Sequence, residues 1–271
     1  KHARMCHKRD AVHMCEFLSW VDRQSENKFD EIDAVIELEN IRRKDENLKE
    51  ISFDTIAASG PNAALPHYRV NYTSNRTVKK GDVLLVDSGG QYLDGTTDIT
   101  RTIAIGTQSK EVKDAFTRVL KGLIAISKLK FPCGISGRDI DAFARAPLWQ
   151  IGQDYAHGTG HGVGQYLSVH EGPQRISKFS DVEFKAGMIV SNEPGFYKEG
   201  KFGIRIENLI LVKDSELKTD NQFLEFETLT FVPIDRRLIS INLLNSYELK
   251  WINNYHSQCW KRAKDLVTAP T

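Results

Sequence analysis

Long apolar runs are missing from this sequence: none approaches the ~18 residues that a membrane-spanning helix requires, which excludes that class. Cysteine is scarce and scattered. Cys6, Cys15, Cys133 and Cys259 lie far apart with no CxxC pair, so neither a disulfide framework nor a thiolate zinc site is indicated, and a reducing cytoplasm fits. Charge of either sign shows no excess. Lys and Arg number 37 against 36 Asp and Glu, for a formal net charge of +1, which lacks the basic surplus usual for a nucleic-acid or acidic-membrane partner. Low-complexity tracts and linkers rich in Gly, Pro or Ser are absent, which favours one compact domain. The amino terminus, KHARMCHKRD, is charged but is followed by no apolar stretch of signal-peptide type. It begins with Lys rather than Met, and a fragment or processed form is therefore expected.

What is present is an ordinary globular composition, 40% hydrophobic and 27% charged over 271 residues, enough for one large domain or two small ones of about 150 residues. Helical spacing runs from Asp10 to Val21 and from Asp30 to Asn47. Ser52 to Ser59 reads as a strand, broken by Gly60-Pro61-Asn62 before a loop that carries His67. Ser109 is a candidate N-cap for a helix through Lys130, and a second helix spans Arg138 to Gly152, kinked or divided at Pro147. Phe226 to Pro233 reads as a last strand and Ser246 to Val267 as a closing helix.

Two strand-turn-strand units carry acidic residues. In Val83 to Ile105, the apolar run Val83-Val86 ends at Asp87, and Asp98, Thr100 and Thr102 alternate with Ile99, Arg101 and Ile103. If the arms pair antiparallel, Asp87 and Asp98 face one another, and two ionised carboxylates that close need a proton or a cation between them. The second unit, Met188 to Val212, holds Glu193 and Glu207, with Arg205 two residues from Glu207 and so on the same face of a strand. Plain readings exist for each: an Asp that ends a strand or caps a turn, an Arg in a simple ion pair. Between the units lies HGTGHGVGQYLSVHEGP, His157 to Pro173, with three histidines among glycines that let the backbone approach a ligand. Gly160, Gly162 and Gly164 give no GxGxxG, and no Lys-Ser or Lys-Thr follows, which argues against a nucleotide. Four carboxylates and a histidine suit two divalent ions of manganese, cobalt, iron or zinc type better than one tetrahedral zinc.

DSGGQYLDGTTDITRT, HGTGHGVG, NEPGFY and GIRIEN together resemble the successive signatures of the dinuclear-metal pita-bread peptidases, and among them the X-prolyl aminopeptidases, or aminopeptidase P. The resemblance extends to SGPNAALPHY, ARAPLW, FLEFETLTFVPID and WINNYH, and so covers nearly the whole chain. It implies an α+β pita-bread fold: two similar α/β halves forming a curved antiparallel sheet with helices outside. Residues 1–48 would be a helical segment leading into a catalytic domain, 49–271, with a C-terminal extension. The family's one or two further amino-terminal domains would lie upstream. By resemblance the metal ligands are Asp87, Asp98, His161, Glu193 and Glu207, with Asp98 and Glu207 bridging both ions, Asp87 on one, and His161 with Glu193 on the other.

The activity implied is hydrolysis of the N-terminal Xaa-Pro bond by a hydroxide held between two divalent ions, with manganese expected and cobalt, zinc or iron as alternatives. Glu193 is the candidate general base and His170 a donor to the developing oxyanion. His157 and His67 complete the catalytic set, and His67, His157, Tyr197 and Arg205 would line the place of the substrate proline. The partner is then a peptide with proline in second position, with no nucleic acid or membrane involved, a cytoplasmic location, and a homodimer left open. Prolidases and methionine aminopeptidases share the five ligands, although the FVPID and WINNYH segments speak against both. An interaction module without ligands, or an inactive truncated product, completes the alternatives.

Overall fold

The computed structural model, which describes residues 1–24, 28–218 and 220–264, begins with a longer helix than the spacing from Asp10 predicts. α1 (His2–Arg23) starts earlier because Cys6 and His7 continue the buried face formed by Asp10, Met14, Phe17 and Val21. α2 (Glu31–Arg43) opens on a reciprocal cap, in which Asp30 accepts from the Asp33 N–H and the Asp33 carboxylate accepts from the Asp30 N–H. A buried ion pair ties the two helices, Arg42 Nε to Asp10 Oδ1 at 2.9 Å, and the Tyr92 hydroxyl also donates to Asp10.

The first half contributes β1 (Leu48–Ile51), β2 (Ile56–Ser59), β3 (Val83–Ser88), β4 (Gly90–Tyr92), β5 (Gly95–Thr96) and β6 (Ile99–Ala104). β3 is the centre of an antiparallel β2-β3-β6 sheet, while β4 and β5, from the turn between β3 and β6, form a smaller sheet with β1. The strand expected from Ser52 starts only at Ile56. Ser52 instead donates its N–H to the Gly89 carbonyl and its hydroxyl to the Thr97 carbonyl, bracing the ends of that turn.

α3 (Lys110–Ser127) is capped by Ser109, whose hydroxyl accepts from the Val112 N–H. It stops short of Lys130 because β7 (Lys130–Pro132) joins a sheet. α4 (Gly137–Trp149) runs undivided through Pro147. The second half then supplies β8 (Gly160–His161), β9 (Arg175–Ile176), β10 (Ile189–Asn192), β11 (Gly195–Lys198), β12 (Phe202–Arg205), β13 (Asn208–Asp214) and β14 (Phe223–Thr228). Its sheet has the order β10-β13-β14-β7, and the β11-β12 hairpin interrupts the link between β10 and β13 as β4-β5 interrupts that between β3 and β6. β14 does not reach Pro233, because the buried Arg101 guanidinium takes the Val232 and Pro233 carbonyls at 2.8 and 3.1 Å. α5 (Ser246–Ala263) closes the chain, capped by Asn245; positions 265–267 of the expected helix lie outside the described residues.

The halves are stitched at their centre. The Glu207 N–H donates to the Thr100 carbonyl at 3.1 Å, and the Thr102 hydroxyl donates to the Arg205 carbonyl at 2.9 Å. Helices cover the strands from outside: α1 and α2 share a core with β3 and β6, and α3 and α5 share one with β11 and β12. The architecture is the expected α+β one. Among the described residues no helix is long and apolar enough to cross a membrane.

Candidate metal centre

Asp87 pairs across the sheet with Thr100, not with Asp98. Asp98 comes just before β6, two residues from Thr100, and is therefore a diagonal neighbour of Asp87 rather than its direct opposite. In the second half Glu193 follows the last residue of β10, and Glu207 occupies the short link between β12 and β13, so Arg205 and Glu207 are not on one strand. His161 ends β8. The glycines beside it clear neighbouring backbone rather than a ligand: a Cβ on Gly160 would lie 1.9 Å from the Ser191 carbonyl oxygen, and one on Gly162 2.0 Å from that of Glu171.

These segments converge. His161 Nδ1 donates to the Gly162 carbonyl at 2.9 Å, which turns Nε2 toward the acids, 3.3 Å from Asp98 Oδ2 and 3.4 Å from Glu193 Oε1. One ligand atom each from Asp98, His161 and Glu207 lie within 4.8 Å of one another. The Thr100 hydroxyl donates to Glu207 Oε2 at 2.8 Å, and Arg205 Nη2 donates to Asp87 Oδ2 at 2.6 Å. The other oxygens, Asp87 Oδ1 and Glu207 Oε1, are buried with no hydrogen-bond partner. Burial, then Asp87 and Glu193, push the Asp98 carboxyl well up, and burial, then Asp98 and Asp87, do the same to Glu207. Burial also raises Glu193, against the pull of His161 and Arg205. Orphaned carboxylate oxygens, an imidazole nitrogen turned toward them and acids that resist ionising side by side are the donor set a pair of divalent cations would satisfy.

The sign of the pH dependence follows. Without cations the folded chain holds more protons at these acids than the unfolded chain, so their contribution to stability is greatest below the unfolded carboxylate range near ~4 and is lost as pH rises. Bound cations remove that loss, and their ligands must be deprotonated. The rise in Tm when manganese is added to chelator-treated chain is therefore expected to be larger at about pH 7.5 than at about pH 5. Equal shifts at the two pH values would contradict the clustering of ligands.

A cleft of about 520 Å³ opens onto the cluster. His67 and His170 are exposed on its walls, and the His170 ring lies edge-on to that of His161 with centroids 4.0 Å apart. Partial desolvation of the ring within the cleft, then the neighbouring His161, hold the His170 imidazole below its ordinary range, so it is neutral near pH 7. His157 is pushed down to about 3 by burial, then by Arg205. Its Nδ1 donates to the Gly158 carbonyl at 2.7 Å, and its Nε2 accepts from the Tyr197 hydroxyl at 2.9 Å. Tyr197 in turn accepts from Arg205 Nη1 at 2.8 Å. Asp87, Arg205, Tyr197 and His157 thus form one chain of contacts. Tyr197 does not line the cleft but holds His157 through its hydroxyl, while Arg205 lines it with a side chain that is only 3% exposed.

Several side chains of this neighbourhood carry no sequence signal that singles them out. Thr100 and Ser191 look like ordinary strand residues, yet Thr100 holds Glu207, and the Ser191 hydroxyl accepts from the His161 N–H and donates to Glu193 Oε1 at 3.1 Å. Asp141 and Arg145 read as an i,i+4 helix pair; both are buried and grip the segment that leads to His161. Arg145 donates to the carbonyls of Tyr155 and His157, each at 2.7 Å, and Thr159 donates to Asp141 Oδ1 at 2.6 Å. Arg145→Ala would leave Asp141 buried and uncompensated. A loss of about 3 kcal/mol in denaturant-measured stability is expected, whereas a change under about 0.5 kcal/mol, the range of ordinary surface substitutions, would show that the grip does not matter.

Comparison with known proteins gives the family and the fold. Residues 1–214 match metallopeptidase family M24, and residues 222–270 match the C-terminal region of peptidase M24. The probable Xaa-Pro aminopeptidase P of Talaromyces marneffei is 46% identical over 271 residues, covering 97% of this chain and 41% of that protein. That of Aspergillus niger is 47% identical, covering 96% and 44%. Among solved structures, the X-prolyl aminopeptidase from Caenorhabditis elegans, described as a cytosolic enzyme with a di-nuclear active site, superposes with a TM-score of 0.94 at 40% identity, covering 97% of this chain and 44% of that one. The Xaa-Pro dipeptidase from Bacillus anthracis superposes at 0.71 with 31% identity, covering 85% and 61%. This chain thus spans less than half the length of the aminopeptidases from T. marneffei, A. niger and C. elegans.

Proposed function

The chain belongs to metallopeptidase family M24, and from that premise we propose that it hydrolyses the N-terminal Xaa-Pro bond of peptides at a dinuclear centre. Asp87, Asp98, His161, Glu193 and Glu207 would hold two divalent ions, with manganese expected, Asp98 and Glu207 shared between them. The observation that carries the reading is the convergence of Asp98, His161 and Glu207, with the buried Asp87 Oδ1 and Glu207 Oε1 left unpartnered among the described residues. A prolidase is the runner-up. Coverage and identity are higher against the aminopeptidase structure than against the dipeptidase, which favours the first. Residues 1–48 would lead into a catalytic domain, 49–271, acting in the cytoplasm as the C. elegans enzyme does, on a peptide rather than a nucleic acid or membrane.

The ions, when bound, would supply Lewis-acid polarisation of the peptide carbonyl and an acidified water as nucleophile. The chain's own residues do the rest. Glu193, raised by burial and steadied by Ser191, takes the proton that the nucleophile gives up. His170, neutral and beside His161, donates to the carbonyl oxygen as charge develops there. His157, fixed by Tyr197 and Gly158, and His67 enclose the proline ring.

Metal analysis of the purified chain, followed by assay on Arg-Pro-Pro with manganese added, tests the proposal: release of free arginine supports it, and a metal-binding chain that leaves the peptide intact does not. His170→Ala should keep both ions and lower kcat by about 10- to 100-fold. A normal kcat with only a raised KM would make His170 a binding residue instead.

A further inference from the structure

We propose that Arg175 gives this cleft a second recognition element, a preference for peptides that carry a carboxylate. The inference rests on the Xaa-Pro reading for the substrate being a peptide. β8 and β9 pair antiparallel with His161 directly opposite Arg175, and residues directly opposite on such a ladder project to the same face. His161 turns its imidazole toward Asp98 and Glu193, so Arg175 projects to the same side and lines the cleft beside the metal centre. The three guanidinium groups around the cleft are not equivalent. Arg205 is buried and bound to Asp87, and Arg69 pairs with Asp54 at 2.7 Å. Arg175 is exposed, and its side chain has no ion pair or hydrogen bond among the described residues.

An unpaired guanidinium offers a planar fork that a carboxylate engages through two parallel hydrogen bonds. The acidic groups nearby do not compete for it, since Asp87 is held by Arg205, Glu207 by Thr100, and Asp98 and Glu193 face His161. A peptide presents such a carboxylate at its C-terminus or on an Asp or Glu side chain on either side of the proline. The shared chemistry is the anionic fork partner, and the source is settled by substrate design.

The test compares matched peptides on the manganese-loaded chain: Ala-Pro-Ala with a free C-terminus against its amide, Ala-Pro-Glu-amide against Ala-Pro-Gln-amide, and Glu-Pro-Ala-amide against Gln-Pro-Ala-amide. At least one acidic member is expected to show about five- to tenfold higher kcat/KM than its neutral partner, carried by KM. The pair that shows it identifies the source. In Arg175→Gln the ratio within that pair should fall to about one, and in Arg175→Glu it should invert. Equal values within all three pairs for the unmodified chain, or a preference that survives in Arg175→Gln, would overturn the proposal. Failure to cleave even the neutral peptides contradicts the Xaa-Pro reading instead; the subsite is then judged by calorimetric Kd of the same pairs. There, a preference lost in Arg175→Gln supports it, and equal Kd values overturn it.

Discussion

Asp98→Ala or Glu207→Ala is expected to release metal and to lower kcat/KM on Arg-Pro-Pro by about 10³-fold or more, because in the proposed reaction both the nucleophile and the carbonyl would depend on the ions. The reason lies in where the two carboxylates stand. Each offers an oxygen to the group that includes His161 within 4.8 Å, and each is almost wholly buried. A carboxylate shared as proposed would compensate both cations at once, so its loss would leave them in mutual repulsion in a poorly solvated place. Asp98→Asn sharpens the experiment by keeping the volume and removing only the charge. Metal content and steady-state kinetics are measured together, and full activity with two ions retained in either alanine variant would sink the assignment.

Replacing the substrate proline by alanine is expected to cost about 10² in kcat/KM, from roughly 1 to 3 kcal/mol for an unsatisfied N–H and a similar amount for lost ring contact. The structure sharpens this expectation. Both nitrogens of His157 are already engaged, Nδ1 with the Gly158 carbonyl and Nε2 with the Tyr197 hydroxyl, so this imidazole offers no free acceptor to an amide hydrogen. The prolyl nitrogen carries none. In the proposed site Tyr197 would hold that wall in place through His157, and Arg205 would form part of it. Arg-Pro-Pro is compared with Arg-Ala-Pro on the manganese-loaded chain. Comparable values would indicate a general aminopeptidase, and cleavage of Arg-Pro without the tripeptide would indicate a prolidase.

Residue type and alternation made the two strand-turn-strand units legible, since β3 with β6 and β10 with β13 form where apolar runs end in acids. Register was less legible. Asp87 and Asp98 read as direct opposites, but β4 and β5 fold within their turn and set Thr100 across from Asp87. The end of the last strand was set by a distant side chain, because Arg101 claims the Val232 and Pro233 carbonyls. In the site, acids and histidines stand out by their chemistry. Thr100, Ser191, Asp141 and Arg145 do not, because strand and helix surfaces are full of such residues, and only tertiary contact shows what theirs hold.

The most direct test of the dinuclear reading is crystallographic: manganese-soaked crystals of the chain, with anomalous data collected at the manganese edge. Two peaks are expected, both in contact with the carboxylates of Asp98 and Glu207, one of them also with Asp87 and the other with His161 and Glu193. A single peak, or two peaks that Asp98 and Glu207 do not share, would contradict the account.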